Sequence, residues 1–351
     1  VPGSFPATNL EIAEERRPLD RRLRRFLAWA ILLLTAGYTF LDYWEYSREQ
    51  HADPVSWQLL ATGHGIAPAQ YRVGVYFTAN FFARLTHLQL RHIFAFADFL
   101  CVGASLAVLF FLLTRMTWFR KASQQGRWMQ ALLGLLLVQH GLSWCLWFQE
   151  PETMPSLAVL AASALLCSGA LRLTGVGSKL LLVVSLLLVA VLGSTIRVDA
   201  VIAFHAGFLV AALLSRPGAM PLGKTWQTAT SLLAIGLALG LEHWLAHTLF
   251  PNAVRNVALI QLPGNLYAHN GLLVLLLSLP PWVLTVWLAI RNWSRMNAWG
   301  KGLILGSLVH FVMFMSFGMS EEVRIFIPFV LTLLPLSVPL LMQWFEGEAT
   351  A

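Results

Sequence analysis

Charge is scarce in this chain. Only 12% of its 351 residues are charged, 57% are hydrophobic, and the mean hydropathy is +0.66. A soluble domain carries roughly a quarter charged residues, so water is not the main solvent for most of this sequence. The net charge of +7 comes from short basic clusters set between apolar runs. Such clusters form no continuous groove, which excludes nucleic acid as a partner. Cysteine is equally sparse: Cys101, Cys145 and Cys167 lie in apolar runs without CxxC spacing and read as small core residues. CxxCH, a Walker sequence and a GxGxxG opening a helix after a strand are all absent. No small-residue cleavage pattern follows the first apolar run, which starts near Phe26 behind a charged leader, so that run is expected to be a retained first span.

What the chain has is long apolar runs. A crossing helix needs roughly 20 apolar residues, and the runs predict an all-α polytopic bundle of about ten spans: 25–43, 95–115, 128–147, 156–172, 178–196, 200–215, 226–247, 269–290, 301–318 and 324–343. The neighbouring runs between 156 and 215 also admit a miscut or re-entrant reading. Leu, Ala, Val and Gly fill these runs, and irregular backbone must hide inside the bundle because lipid offers it no hydrogen bonds. With residues 1–24 as a cytoplasmic basic leader and 344–351 as a cytoplasmic tail, 17 of the 24 basic residues fall on the inner side. That is the positive-inside pattern, with both termini cytoplasmic. Eleven of the 17 acids fall at or near the outer side, which is where chemistry is expected.

The longest outer connection, 44–94, starts polar and then turns aromatic. Asp42, Glu45, Glu49, His51 and Asp53 mark the exit of the first span, GHG and AP at 63–68 mark a turn, and 71–90 is an apolar stretch interrupted by Arg72 and Arg84. Helical spacing puts Val75, Ala79 and Phe82 near one face, which predicts an interfacial helix. A full span there would invert everything downstream and strand the basic 115–127 and 291–301 loops outside, against the charge bias. A second outer loop at 250–270 carries Arg255 and His269. Arg197 and Asp199 occupy a tight outer turn, and Glu321, Glu322 and Arg324 form the last one.

Several of these residues are candidates for chemistry. Asp42 and Glu45 are three apart and share a helix face; an acid beside apolar surroundings serves as a base, or binds a divalent cation together with substrate phosphates. The plainer reading is a solvated helix end. Arg72 suits a phosphate or pyrophosphate through charge-assisted hydrogen bonds, or snorkels to lipid headgroups. Glu321, Glu322 and Arg324 suit an ion-paired plug positioning the same site, or a plain polar turn. Glu242, His243 and His247 offer i, i+4 metal-ligand spacing without an HExxH signature; His140, His205 and His269 are the further ligands available. His310 and the many Phe and Trp read as packing groups, and the glycines of AIGLALG read as points of close helix approach.

The basic leader with one span, the acids Asp42 and Glu45 at its exit, the segment QYRVGVYFTANFFARL and the terminal EEVRIFIPFVLTLLPL together resemble the large multispanning bacterial glycosyltransferases of the GT-C type and their small uncharacterised relatives. Those features cover about 60 of the 351 residues. The resemblance implies transfer from a polyprenyl-phosphate-linked sugar at the extracytoplasmic face of the bacterial cytoplasmic (inner) membrane. It implies Asp42, with Glu45 as substitute, as base or metal-linked carboxylate, a divalent cation as the cofactor, and Arg72 and Arg324 as holders of the lipid phosphate. Arg197, Asp199, Glu321, Glu322, Arg255 and His269 are then supporting groups. The chain lacks an adjacent DD or DE pair in the first outer loop and a soluble C-terminal domain. Those departures leave a noncatalytic membrane scaffold or accessory subunit with a membrane-protein partner as the alternative, and a lipid or small-molecule transporter as a third reading.

Overall fold

The computed structural model describes residues 20–52, 56–146, 150–171, 175–216, 219–253, 260–267, 269–318 and 322–349. Every regular element in them is helical. α1 (Arg21–Ala52), α2 (Ser56–Thr62), α3 (Val73–Thr86), α4 (Leu90–Arg115), α5 (Thr117–Lys121), α6 (Gln124–Cys145), α7 (Thr153–Cys167) and α8 (Val176–Leu214) make the first part. α9 (Lys224–Trp244), α10 (Leu262–Tyr267), α11 (His269–Ser278), α12 (Pro280–Arg291), α13 (Ala298–Phe317), α14 (Ile327–Thr332) and α15 (Leu334–Ala349) complete it. α1 packs on α4, α4 on α7, and α8 on both α9 and α13.

The chain is an all-α polytopic bundle, but not clearly one of ten spans. Among the described residues five helices are long and apolar enough to cross a membrane: α1, α4, α8, α9 with its following turn, and α13. The count rises to seven if the bent pairs α11–α12 (60°) and Val323–Thr332 with α15 (72°) are each one span. Three physical features separate this count from the hydropathy runs. α7 has 15 residues, about 22 Å of helix against about 30 Å of hydrocarbon. α6 is long enough, yet Gln124, Gln125, Gln130, Gln139 and His140 dilute its apolar run. The runs 178–196 and 200–215 belong to one 39-residue element that breaks at Arg197 (φ −149°, ψ 92°). There the chain folds sharply: a Cβ added at Gly193 would lie 2.7 Å from Val201 Cγ2, whereas eight residues of straight helix separate groups by about 12 Å.

The 71–90 stretch forms α3, whose 14 residues are too short to cross. It buries Val75, Tyr76 and Ala79 against the bundle and leaves Phe77, Phe81, Phe82 and Leu85 outward. Phe82 thus faces away from the bundle, because Tyr76 takes its place on the packed face. Outward Leu and Phe also run along α1 (Leu33, Phe40) and α8 (Leu181, Leu188, Leu192), a surface that an apolar solvent suits and water does not.

The close helix approach lies elsewhere than in AIGLALG. A Cβ at Gly236 or Gly240 would meet nothing within 4 Å. A Cβ at Gly207 of α8 would instead collide with the backbone of Gly302 and Gly306 of α13, a small-xxx-small pair that lets two helices touch through their main chains. Because backbone cannot rotate away, Gly207→Val is expected to cost about 3 kcal/mol, the upper end of overpacking penalties. Gly236→Val should change stability by about 0.5 kcal/mol or less, as an open surface site. Unfolding midpoints of the two variants in detergent compare them directly, and equal midpoints would remove the Gly207 contact from the account.

Candidate functional site

One end of the bundle gathers the buried ion pairs found among the described residues. Four separated segments meet there: the loop ending at Arg72, the connection Glu150–Glu152 before α7, the break in α8 and the turn Glu322–Ile325. The loop is closed by Gln70, which accepts from the Gly65 amide and donates to the Leu60 carbonyl at 3.2 Å.

Glu150 is the hinge of this cluster. Its Oε2 accepts from Arg72 Nη1 at 3.0 Å, and its Oε1 pairs with Arg324 Nη2 at 2.6 Å. Arg72 also holds the fully buried Glu152, which Tyr76 reaches through its hydroxyl at 3.4 Å. Arg324, 4% exposed, turns a further contact of 3.2 Å on Glu322. Beside them Arg197 grips Asp199 with two parallel bonds of 3.0 and 2.6 Å, and His310 Nε2 meets the same carboxylate at 3.2 Å. Bidentate pairs of this kind fix orientation as well as charge.

The environment separates these carboxyls. Burial works against the charge of Glu150, but Arg72, a hydrogen bond from Glu152, Arg324 and Arg197 together hold it well below the usual carboxylate range. Burial pushes Glu152 up to about 8 even against Arg72, and Glu150 adds to the rise. Burial likewise raises Glu322, with Arg324 opposing. Arg72 stays protonated, because Glu152 and Glu150 outweigh its own burial. At neutral pH Glu152 is therefore biased toward the neutral form, and Glu150 is ionised.

Two cavities open on the cluster. The larger, about 530 Å³, has Arg72, Glu150, Arg197, Asp199, Glu242 and Glu322 among its polar lining and an apolar wall that includes Ile202, Leu239 and Phe314. The smaller, about 480 Å³, is lined by Glu49, Trp57, His64, Tyr76 and Arg324. Glu150 and Glu322 line both and so form the partition between them.

The residues expected from the sequence divide accordingly. Arg72, Arg197, Asp199, Glu242, Glu322 and Arg324 converge on this end. Asp42 does not: it is fully buried between helices and lines neither cavity. Glu45 lines neither and pairs with Arg48 at 3.0 Å on an open helix face. Glu321, Arg255 and the His269 side chain lie outside the described residues. His243 at the end of α9 and His247 in the turn after it stack edge to face at 4.2 Å, and among the described residues no three His, Cys, Asp or Glu groups come together to hold a metal. His140 is turned to the Ser278 carbonyl at 3.0 Å and His205 is buried. Sequence reasoning missed Glu150 and Glu152, although QEPETMP sets two acids around a proline where an apolar run ends. It also missed His310 as a partner of Asp199, and Asp98, a lone acid inside AFADFL.

The fold and this cluster define a helical bundle with apolar, membrane-length helices and a composite charged cavity at one end. No family model, curated protein or solved structure matches the chain.

Proposed function

We propose that this end of the bundle binds a polyprenyl-phosphate-linked sugar and transfers the sugar to a hydroxyl acceptor. The observation that carries this reading is that Arg72 and Arg324, 252 positions apart in sequence, close on one carboxylate, Glu150. A carboxylate held by two guanidiniums marks a place where a phosphate fits equally well. The apolar wall of the larger cavity suits a lipid chain. The smaller cavity, with Trp57, Tyr76 and His64, suits a hydroxylated acceptor.

Glu322 is the base in this proposal, in place of Asp42. It lines both cavities, and burial raises its carboxyl with Arg324 opposing, which makes it a better proton acceptor than Glu150, held well below the usual carboxylate range. As the acceptor oxygen bonds to the anomeric carbon, its proton passes to Glu322. The bond from that carbon to the phosphate oxygen breaks, and its electron pair leaves on the lipid phosphate between Arg72 and Arg324.

The test is binding of polyprenyl phosphate to the full chain in nanodiscs, compared with the polyprenol of equal length. Polyprenyl phosphate should raise the unfolding temperature of the wild type, and Arg324→Gln should lose that response. Equal stabilisation by polyprenol would sink the phosphate site. Binding without any turnover of a lipid-linked sugar would favour the noncatalytic subunit.

A further inference from the structure

Asp42 and Asp98 face each other inside the bundle, on the seam where α1 packs against α4. Asp42 is fully buried and Asp98 is 1% exposed. Tyr46, one turn beyond Asp42 and also fully buried, donates its hydroxyl to Asp98 Oδ2 at 2.6 Å. Among the described residues no donor reaches either oxygen of Asp42 or Oδ1 of Asp98.

The charged groups around the pair do not compensate it. After Asp98, the groups acting on Asp42 are Glu49 and Glu45, both acidic. α4 brings the Cys101 thiol and α6 the Cys145 thiol, with Arg324 acting on Cys145 from farther along. Arg91 and His92 of α4 turn to Tyr43 instead, Arg91 over its ring at 5.7 Å and His92 to its hydroxyl at 3.3 Å. Two turns before Asp42 on the same helix face, the Thr35 hydroxyl is buried against Gly103 of α4 and likewise meets no partner among the described residues. The seam is thus lined by oxygen atoms that no hydrogen-bond donor reaches among the described residues.

Each unbalanced buried carboxylate costs several kcal/mol even after relaxation, and the cheaper state is the one that takes up a proton. Two ionised carboxylates are both acceptors, so their contact becomes a hydrogen bond only when a proton lies between them. Acids within a membrane-length helix are also where proton carriage is built. We propose that Asp42 and Asp98 form an internal proton-binding site that shares one proton at neutral pH. Tyr46 sets this site one contact from the smaller cavity, since its ring packs edge-on against Trp57 at 5.5 Å. The site is independent of the glycosyl-transfer reading.

Infrared difference spectroscopy of the full chain in nanodiscs tests it. Glu49 and Glu152 also populate the protonated-carboxyl region at neutral pH, so the band is read in the Glu49→Gln/Glu152→Gln background, where one that shifts in heavy water is still expected. In that background it should be lost on adding either Asp42→Asn or Asp98→Asn, because either change removes half of one shared site. A background without that band, or a band surviving both changes, overturns the proposal. So does sodium-specific thermal stabilisation, sodium against choline at constant ionic strength, that Asp42→Asn abolishes; the seam would then hold Na⁺. If either Asn variant fails to fold, Tyr46→Phe serves instead. It keeps both carboxyls and removes the donated hydroxyl, so the band should shift without disappearing, and an unmoved band counts against the site.

Discussion

Arg72→Met lowers the stability of the folded bundle by about 3–5 kcal/mol, the usual cost of removing one partner from a buried ion pair. The guanidinium is 16% exposed and holds both Glu150 and Glu152, of which Glu152 is wholly enclosed. Truncation leaves two neighbouring carboxyls with Arg324 as the remaining direct partner of Glu150. Adding Glu152→Gln should recover part of the loss, since the amide carries no charge to strand. pH separates this account from simple loss of packing. Glu152 rises from its ordinary 4.5 to about 8, so between those values the folded state binds more protons than the unfolded state, and stability falls as pH rises through that window. Glu150 acts oppositely: its contribution is present above the ordinary carboxylate range and is lost as pH falls below it. Glu152→Gln in the wild-type background should therefore flatten the decline toward pH 8 and leave the acid limb intact. Labelling of the buried thiols of Cys145 and Cys167 by a maleimide dye during heating reports unfolding without a chromophore of its own. A decline toward alkaline pH unchanged in Glu152→Gln would remove Glu152 from the explanation.

The sequence carried the polar end of the fold better than it carried the bundle. Acids concentrate near the ends of apolar runs on one side, and Arg72, Arg197, Asp199, Glu322 and Arg324 do gather at one end. Hydropathy alone does not fix the span count because it cannot distinguish a helix that ends from one that turns back. The break at Arg197 contains no proline or glycine, and nothing in a run of apolar residues announces it. The central carboxylates were hidden for a different reason. Glu150 and Glu152 lie 78 and 80 positions from Arg72, so their pairing is purely tertiary. Asp98 was legible: a single acid inside an apolar run is costly unless it has a purpose. Asp42 stood out as an acid at the exit of the first apolar run, and that position suggested a solvated helix end. α1 in fact continues as helix to Ala52, which carries Asp42 inside the packed seam.

The two acids on the cavity partition should fail in opposite ways when changed to their amides. Glu322→Gln removes the proposed proton acceptor, and turnover of a polyprenyl-phosphate hexose should fall by about 10²–10⁴-fold, the usual contribution of a positioned base. Binding of polyprenyl phosphate should survive, because Arg72 and Arg324 keep their other contacts with Glu150. Glu150→Gln removes the carboxylate that competes with phosphate for the same two guanidiniums. Breaking a charge-assisted hydrogen bond costs about 1.5–3 kcal/mol, so the unliganded variant should be less stable than the wild type, yet polyprenyl phosphate should stabilise it more. Measuring unfolding temperature against polyprenyl phosphate concentration for both variants, alongside release of polyprenyl phosphate from the lipid-linked sugar, separates the roles. If Glu150→Gln weakened phosphate binding, Glu150 would belong to the ligand's contacts and not stand in for it. If Glu322→Gln turned over normally, the base would have to be sought among Asp199 and Glu242, the remaining carboxylates that line the larger cavity.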